Sequence, residues 1–288
     1  ISEEELVSFK PEIYFHLAAT FERSEESYEH FELNYWHNIK LSNYLLSILK
    51  DIESVKKIIF ASSYLIYDKS LYTSKVQKDS PFQLKENSRI NPRNLTGVSK
   101  LVHEMELDFF KNFDSKFTTI SARIFRGYGK GSKDVISRWV RSALNNEKLK
   151  LYNPDGTFDY IYASDSAKGL LKLAQSDFNG IVNLGTGKSR KVGDVIEILN
   201  KNFPGLEVEK INSSEPIEAS EANITKLVKI LDWKPEYNLE MGIEQIIEYE
   251  KSKTEENGVF GNILVTSISK KVPLVESIKQ AASKINQK

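Results

Sequence analysis

The sequence predicts an α/β protein built on a doubly wound parallel sheet. Three observations carry that expectation. Strand and helix signals alternate along the chain, the arrangement that right-handed strand–helix–strand units produce. The best-marked strand, Lys57-Ile58-Ile59-Phe60-Ala61-Ser62, is a short apolar run, as buried strands are. With 288 residues the chain is long enough for one large domain or two ordinary ones and can bury a core.

Apolar residues 13–19 open the pattern as a strand, and helical spacing follows over residues 28–50. The strand at 57–62 runs into two hydroxyls, Ser62 and Ser63, and Ile66-Tyr67-Asp68 closes the turn after it. Residues 72–94, polar with Pro81 and Pro92, read as a long surface loop, of the kind that is functional or mobile. A helix at 96–113 sets Thr96 one turn before Lys100 on the same face, and a strand follows at 118–125. From residue 134 onward the signals are a helix at 135–145, short strands near 149–152 and 158–161, a helix at 164–174 and a strand at 180–184. Then come a Gly185-Thr186-Gly187 turn, a helix at 192–202, the segment Ile230-Leu231-Asp232-Trp233-Lys234-Pro235 and a helix at 239–249. Residues 250–258 are charged and lack an apolar stripe, as a linker does. A fresh strand at 262–267 and a helix at 272–285, with Leu274, Ile278, Ala282 and Ile285 at helical spacing, come after it.

Composition excludes several kinds of function. Forty basic and forty acidic residues give no net charge, so the chain has no global attraction to nucleic acid or to an anionic membrane. Without cysteine there are no disulfides, thiolate metal sites or cysteine nucleophiles, which fits a reducing cytoplasm. No apolar run approaches the roughly 18 residues of a membrane-spanning helix. His30, His37 and His103 have no ligand-like spacing with carboxylates, so a metal site is not expected.

Ser62-Ser63-Tyr64-Leu65-Ile66-Tyr67-Asp68 followed by Thr96-Gly97-Val98-Ser99-Lys100 resembles the extended short-chain dehydrogenase/reductase family, the NAD(P)-dependent nucleotide-sugar epimerases and dehydratases. There the strand ends S-S-x-x-V-Y-G and the helix reads Y-G-x-S-K. The resemblance covers residues 1–251 in order as well as motif. It implies a Rossmann-like sheet with a smaller α/β substrate-binding lobe, NAD or NADP as cofactor, a sugar substrate and a homodimer formed by the helices around 28–50 and 101–113. Pro11-Glu12-Ile13-Tyr14-Phe15-His16-Leu17-Ala18-Ala19 resembles the fourth strand of that sheet, and no G-x-x-G-x-x-G occurs in the chain. The expectation is therefore of a longer protein whose first strands and pyrophosphate cradle precede Ile1, so that this stretch alone binds NAD or NADP weakly or not at all. Residues 252–261 are expected to link to a second domain whose first strand and helix, 262–288, resemble the start of an ATP-grasp ligase; a tail packed on the first domain is the alternative.

By the same resemblance Ser63 hydrogen-bonds the reacting oxygen, and Lys100 holds the nicotinamide ribose and acidifies the catalytic phenol. His16, Ala18, Ala19, Asn34, Ala61, Ser62 and Phe125 belong to the cofactor's surroundings, and Tyr64 and Arg126 to the substrate's. The chain departs from the pattern at the phenol itself, where Thr96 stands. A threonine hydroxyl donates and accepts hydrogen bonds, but its alkoxide is too basic for Lys100 to make it a general base near neutrality. Tyr64 is the nearest phenol in sequence, and a turn at the strand end would have to swing it to the Ser63 side. In Arg123-Ile124-Phe125-Arg126-Gly127-Tyr128-Gly129, Arg126 replaces the family's asparagine and adds a planar cation suited to carboxylate or phosphate. Phe158 stands where a diphosphate-binding arginine is common and Ser213 near a second, leaving Arg126, Arg138 or Arg141 to compensate. Tyr64-Leu65 replaces the Asp-Glu pair of sugar dehydratases, which argues against water elimination. The expected activity is an epimerase or reductase with an unsettled acid/base; the alternative is an inactive dinucleotide- or sugar-binding scaffold fused to a ligase.

Overall fold

In the computed structural model the described residues are 3–20, 27–113 and 117–259. After helix α1 (Glu3–Phe9), strand β1 (Ile13–His16) enters the sheet, three residues shorter than expected, and Ala18 and Ala19 lie exposed beyond its end. Helix α2 (Tyr28–Asn34), its N-cap Ser27 accepting from the His30 N–H, runs through a π-helical segment (Tyr35–Lys40) into α3 (Leu41–Leu49). The periodicity over 28–50 is thus one rod with a wide turn in its middle. Strand β2 (Lys57–Ser63) then leads into two 3₁₀ turns, Tyr64–Ile66 and Lys69–Leu71.

The segment read as a surface loop holds two short strands, β3 (Thr73–Ser74) and β4 (Phe82–Leu84), and buries Tyr72 and Leu84 completely. Helix α4 (Leu95–Phe113) leads to β5 (Thr118–Ile124), β6 (Arg126–Tyr128) and α5 (Val135–Leu144), whose N-cap Asp134 accepts from the Ser137 N–H. The lobe continues through β7 (Leu149–Tyr152), β8 (Thr157–Phe158), β9 (Tyr160–Tyr162) and α6 (Ala163–Gln175). Strand β10 (Gly180–Leu184) returns to the sheet, followed by β11 (Arg190–Lys191), α7 (Val192–Asn202) and β12 (Val208–Ile211). Strands β13 (Ile217–Glu218) and β14 (Ser220–Ala222) and helices α8 (Thr225–Leu231) and α9 (Leu239–Val259) complete the described chain. The polar stretch expected as a linker is therefore helical as far as Val259, and the expected second domain at 262–288 lies outside the described residues.

The main sheet has the order β1-β2-β5-β10, every pairing parallel, as the alternating pattern requires. Side chains of β2 alternate between two cores. Ile58 and Phe60 pack with Leu46, Leu49, Leu107 and Phe117 under α3 and α4, while Ile59 joins Ile120, Val182, Leu170 and Leu227 under α6 and α8. Both faces are covered, which is why the strands read as continuous apolar runs. The lobe has its own core, in which Ile136 and Val140 of α5 meet Val195 and Leu199 of α7 and Ile243 and Ile246 of α9. Lobe and sheet are tied by β3 pairing antiparallel with β13 and β4 pairing parallel with β14. That pairing corrects the loop reading: strands of two and three residues are too short to show a period.

Candidate active-site cleft

A cleft of about 1000 Å³ opens where β2 and β5 end, the carboxyl edge at which parallel α/β sheets bind ligands. Ser63, Tyr64, Thr96, Phe125, Arg126 and Asn34 all line it, together with Arg93, Tyr160 and Arg138. Ser63 closes β2 in an extended conformation and its Oγ accepts from the Leu65 N–H at 3.2 Å, an interaction that starts the 3₁₀ turn. Thr96 is buried in the first turn of α4. Gly97 lets the two meet at one cleft, because a Cβ there would lie 2.5 Å from the Leu65 carbonyl oxygen, so only glycine lets α4 rest on the turn.

Lys100 is buried one turn deeper and its Nζ donates to the Ala61 carbonyl at 2.7 Å, 4.7 Å from the centre of the Phe60 ring. Burial pushes its pKa down to about 8, against the pull of Glu104, so at neutrality it remains a cation. An ammonium has three N–H groups, and Lys100 spends one of them among the described residues. Beside it, His16 is buried with its Nε2 2.8 Å from Ser42 Oγ. Ser42 donates its only proton to the Asn38 carbonyl, so Nε2 must carry the hydrogen and Nδ1 is left as a buried acceptor without a described partner. His103 bonds Glu106 through Nδ1 and leaves its Nε2 in the same state. The spare N–H groups of Lys100 fit a hydroxylated group such as the nicotinamide ribose of a dinucleotide.

Other sequence-predicted residues turn out differently. Ser62 faces away from the cleft and donates to Glu104, which forms a buried ion pair with Arg123 at 2.7 Å. Both are packing partners, and Ala61 contributes its carbonyl alone. Tyr67 is wholly buried, donates to Asn183 Oδ1 at 2.6 Å, and is pushed by burial up to about 12. Asn34 accepts from Asn38, whose side chain both donates to and accepts from the Thr20 backbone, so the tie from this helix runs to the segment after β1.

The 3₁₀ turn does swing Tyr64 into the cleft. Its ring stacks on Phe125 at 5.1 Å, and its hydroxyl donates to Glu218 Oε1 at 3.1 Å and accepts from Arg126 Nη1 at 3.4 Å. Burial, then the Glu218 carboxylate, raise its pKa although Arg126 and Arg93 pull the other way, so Tyr64 is a neutral phenol at physiological pH. Glu218 also accepts from Arg93 and from Ser220 Oγ. Sequence reasoning missed this chain; its partners lie on elements with no common motif. It did name the arginines that were to replace the cations lost at positions 158 and 213, and the structure sorts them. Arg126 lies 4.3 Å over the Phe158 ring, Arg138 also lines the cleft, and Arg141 is engaged by Glu250 and the Ser132 carbonyl.

A parallel sheet with hydroxyls at the end of one strand, a buried lysine on the next helix and a smaller lobe closing the cleft defines a Rossmann-like α/β protein. The chain belongs to the NAD dependent epimerase/dehydratase family, whose sequence profile matches residues 2–185. It is 31% identical over 210 residues to a putative UDP-glucose 4-epimerase of Methanocaldococcus jannaschii, spanning 69% of this chain and 64% of that one. Over 220 residues it is 26% identical to the UDP-glucuronate 4-epimerase of Thermodesulfobacterium geofontis, again spanning 64% of the relative's length, with 73% of this chain covered. Among solved structures, the UDP-N-acetylglucosamine 4-epimerase of Methanobrevibacter ruminantium in complex with UDP-N-acetylmuramic acid superposes with a TM-score of 0.74 at 25% identity. That match covers 86% of this chain and 80% of the other. No helix among the described residues is long and apolar enough to cross a membrane, and no group of three or more metal-ligating side chains occurs among them.

Proposed function

We propose that the protein is an NAD-dependent enzyme of the epimerase or reductase kind acting on a nucleotide sugar, and that the cleft is its active site. The observation that carries this reading is the convergence of Ser63 and Thr96 on one cleft with the Lys100 ammonium a turn behind them. When bound, NAD supplies a hydride acceptor for oxidation of a sugar carbinol. Lys100, with its two uncommitted N–H groups, holds the ribose at the ends of β1 and β2, beside His16. Ser63 and Thr96 donate to the reacting oxygen and fix its position. Neither takes a proton near neutrality, and Tyr64, held protonated, serves as a donor rather than a base. Outward-facing aromatic and apolar side chains on α2, α3 and α4 support a homodimer.

That none of Ser63, Thr96 and Tyr64 can act as the base favours a second reading, a scaffold that binds dinucleotide or sugar without turnover; its fusion to a ligase rests on the pattern at 262–288 alone. One experiment separates the two: hydride exchange on UDP-sugars by wild type, Thr96→Tyr and Lys100→Ala in the full-length protein. If the site is a working or latent enzyme, Thr96→Tyr restores a phenol that Lys100 can acidify and raises the rate by about 10²–10⁴-fold, the usual contribution of a positioned acid/base. A wild type already active through another group is instead slowed by the added ring. Absence of activity in all three, with NAD binding indifferent to Lys100→Ala, removes the enzyme reading.

A further inference from the structure

The buried charges of the cleft do not cancel. On the wall built by β2, β6 and β13, Arg93 pairs with Glu218, and Glu218 also accepts from Tyr64 and Ser220, so its charge is matched by Arg93. Arg126, half-buried on the same wall, is left over. Among the described residues its guanidinium makes one hydrogen bond, to Tyr64 at 3.4 Å, and otherwise lies over the Phe158 ring at 4.3 Å. A guanidinium has five N–H donors in a rigid fork, and a partly desolvated cation with most of them unspent is costly unless something anionic completes it.

Three features say what that anion is. The cluster of Arg93, Glu218 and Arg126 carries a single net positive charge, matching a monoanion. Arg126 is held against the hydroxyl of Tyr64, and Tyr64 directly follows Ser63, so the fork belongs to the sugar end of the cleft. A second cation, the exposed Arg138 on α5, also lines the cleft and leaves a nucleotide's phosphates a partner other than Arg126. Tyr64 and Phe158 hold the fork planar and fixed from two sides, which suits bidentate recognition of a carboxylate.

We infer that Arg126, positioned by Tyr64 and Phe158, is a receptor for a carboxylate on the sugar, so that the substrate is an acidic nucleotide sugar and not a neutral hexose derivative. The inference rests on the proposed nucleotide-sugar reading of the cleft.

Calorimetric titration of the full-length protein with UDP, UDP-glucose and UDP-glucuronate tests it, in wild type, Arg126→Gln and Arg126→Lys. Wild type binds the uronate about 10–100-fold tighter than the hexose, the range of a charge-assisted pair. Arg126→Gln abolishes that preference while leaving UDP and UDP-glucose affinities unchanged, and the retained UDP affinity shows that the variant is folded. Arg126→Lys keeps part of the preference, having the charge without the fork. If Arg126→Gln weakens UDP and both sugars equally, the arginine serves the diphosphate and the inference is overturned. Equal affinity of wild type for uronate and hexose overturns it while the nucleotide-sugar reading stands. Failure of all three ligands to bind wild type overturns both.

Discussion

The imidazole of His16 is buried and committed through Nε2–H to Ser42, and its burial, with His103 and Lys100 nearby, pushes its pKa down to about 3. The folded chain therefore keeps it neutral where the unfolded chain, near 6.5, takes up a proton. Stability is complete above 6.5 and is lost as pH falls toward 3, at about 1.36 kcal/mol per pH unit. Denaturant midpoints at pH 7 and 4.5 should show wild type losing roughly 2–3 kcal/mol more than His16→Asn, since the other acid-sensitive groups are common to both. Equal losses would remove His16 as a cause. A larger single effect is expected at Glu104. Glu104→Gln leaves the almost wholly buried Arg123 unpaired and should cost about 3–5 kcal/mol in urea unfolding, with the cleft residues unchanged in identity. Legibility at this scale followed sequence distance. Ser63, Thr96 and Lys100 stand in short motifs and could be read directly; Ser63 and Thr96 line one cleft and Lys100 is buried a turn behind them. Ser62, their neighbour, is turned by strand alternation to the other side, where it donates to Glu104. Glu218 could not be seen at all: it meets Tyr64 across 154 positions, and a lone glutamate carries no pattern.

Secondary-structure elements place these residues through contacts that tolerate little change, and Gly97 is the tightest of them. In an exposed helix Gly→Ala stabilises by roughly 0.5–1 kcal/mol. Here the new methyl would lie 2.5 Å from the Leu65 carbonyl oxygen and 3.3 Å from the Pro92 side chain, both in the connection that α4 rests upon. Overpacking against backbone costs about 1–3 kcal/mol, so Gly97→Ala should be net destabilising and should also shift Thr96 away from Ser63, weakening ligand binding in the cleft. A rise in urea midpoint with unchanged binding would show that the turn yields freely. The long elements were legible because each repeats its period several times: α4, α6 and α7, and strands β2, β5 and β10, fall within a residue or two of their expected bounds. What escaped was short or irregular. Strands β3 and β4 exist because Tyr72 and Leu84 bury their side chains and because β13 and β14 offer edges to pair with, which are tertiary causes. The π-helical segment at Tyr35–Lys40 keeps the same apolar faces while widening one turn, so a helical period fits it as well as it fits an α-helix.

At the scale of the whole molecule, one region of the described residues exposes apolar side chains that belong to none of the cores. Helices α2 and α3, with the π-helical segment between them, expose Tyr28, Phe31, Tyr35, Trp36 and Tyr44, and α4 beside them exposes Val98 and Met105. Asn43 on α3 donates to Glu106 on α4 at 3.2 Å, which holds the two exposed faces side by side. Scattered surface apolar residues need no explanation, whereas a contiguous aromatic face on neighbouring helices marks an association surface. Interface centres favour tryptophan and tyrosine, and a two-fold axis lets one such face pair with its own copy, as the proposed homodimer requires. Sedimentation velocity of the full-length protein should give a dimer at micromolar concentration. Trp36→Glu, 57% exposed in the single chain, removes a large ring and places two like charges near each other across the axis. Loss of a central aromatic costs about 2 kcal/mol or more, so the dimer should weaken by at least about 30-fold and the variant should sediment as a monomer. Its thermal unfolding should otherwise match wild type at low concentration, because Trp36 stabilises no core of the single chain. Helix α2 lines the candidate cleft through His30 and Asn34 but Trp36 does not line it, so a Trp36→Glu monomer should retain nucleotide binding. A monomeric wild type, or a Trp36→Glu variant that stays dimeric, would place the association surface elsewhere.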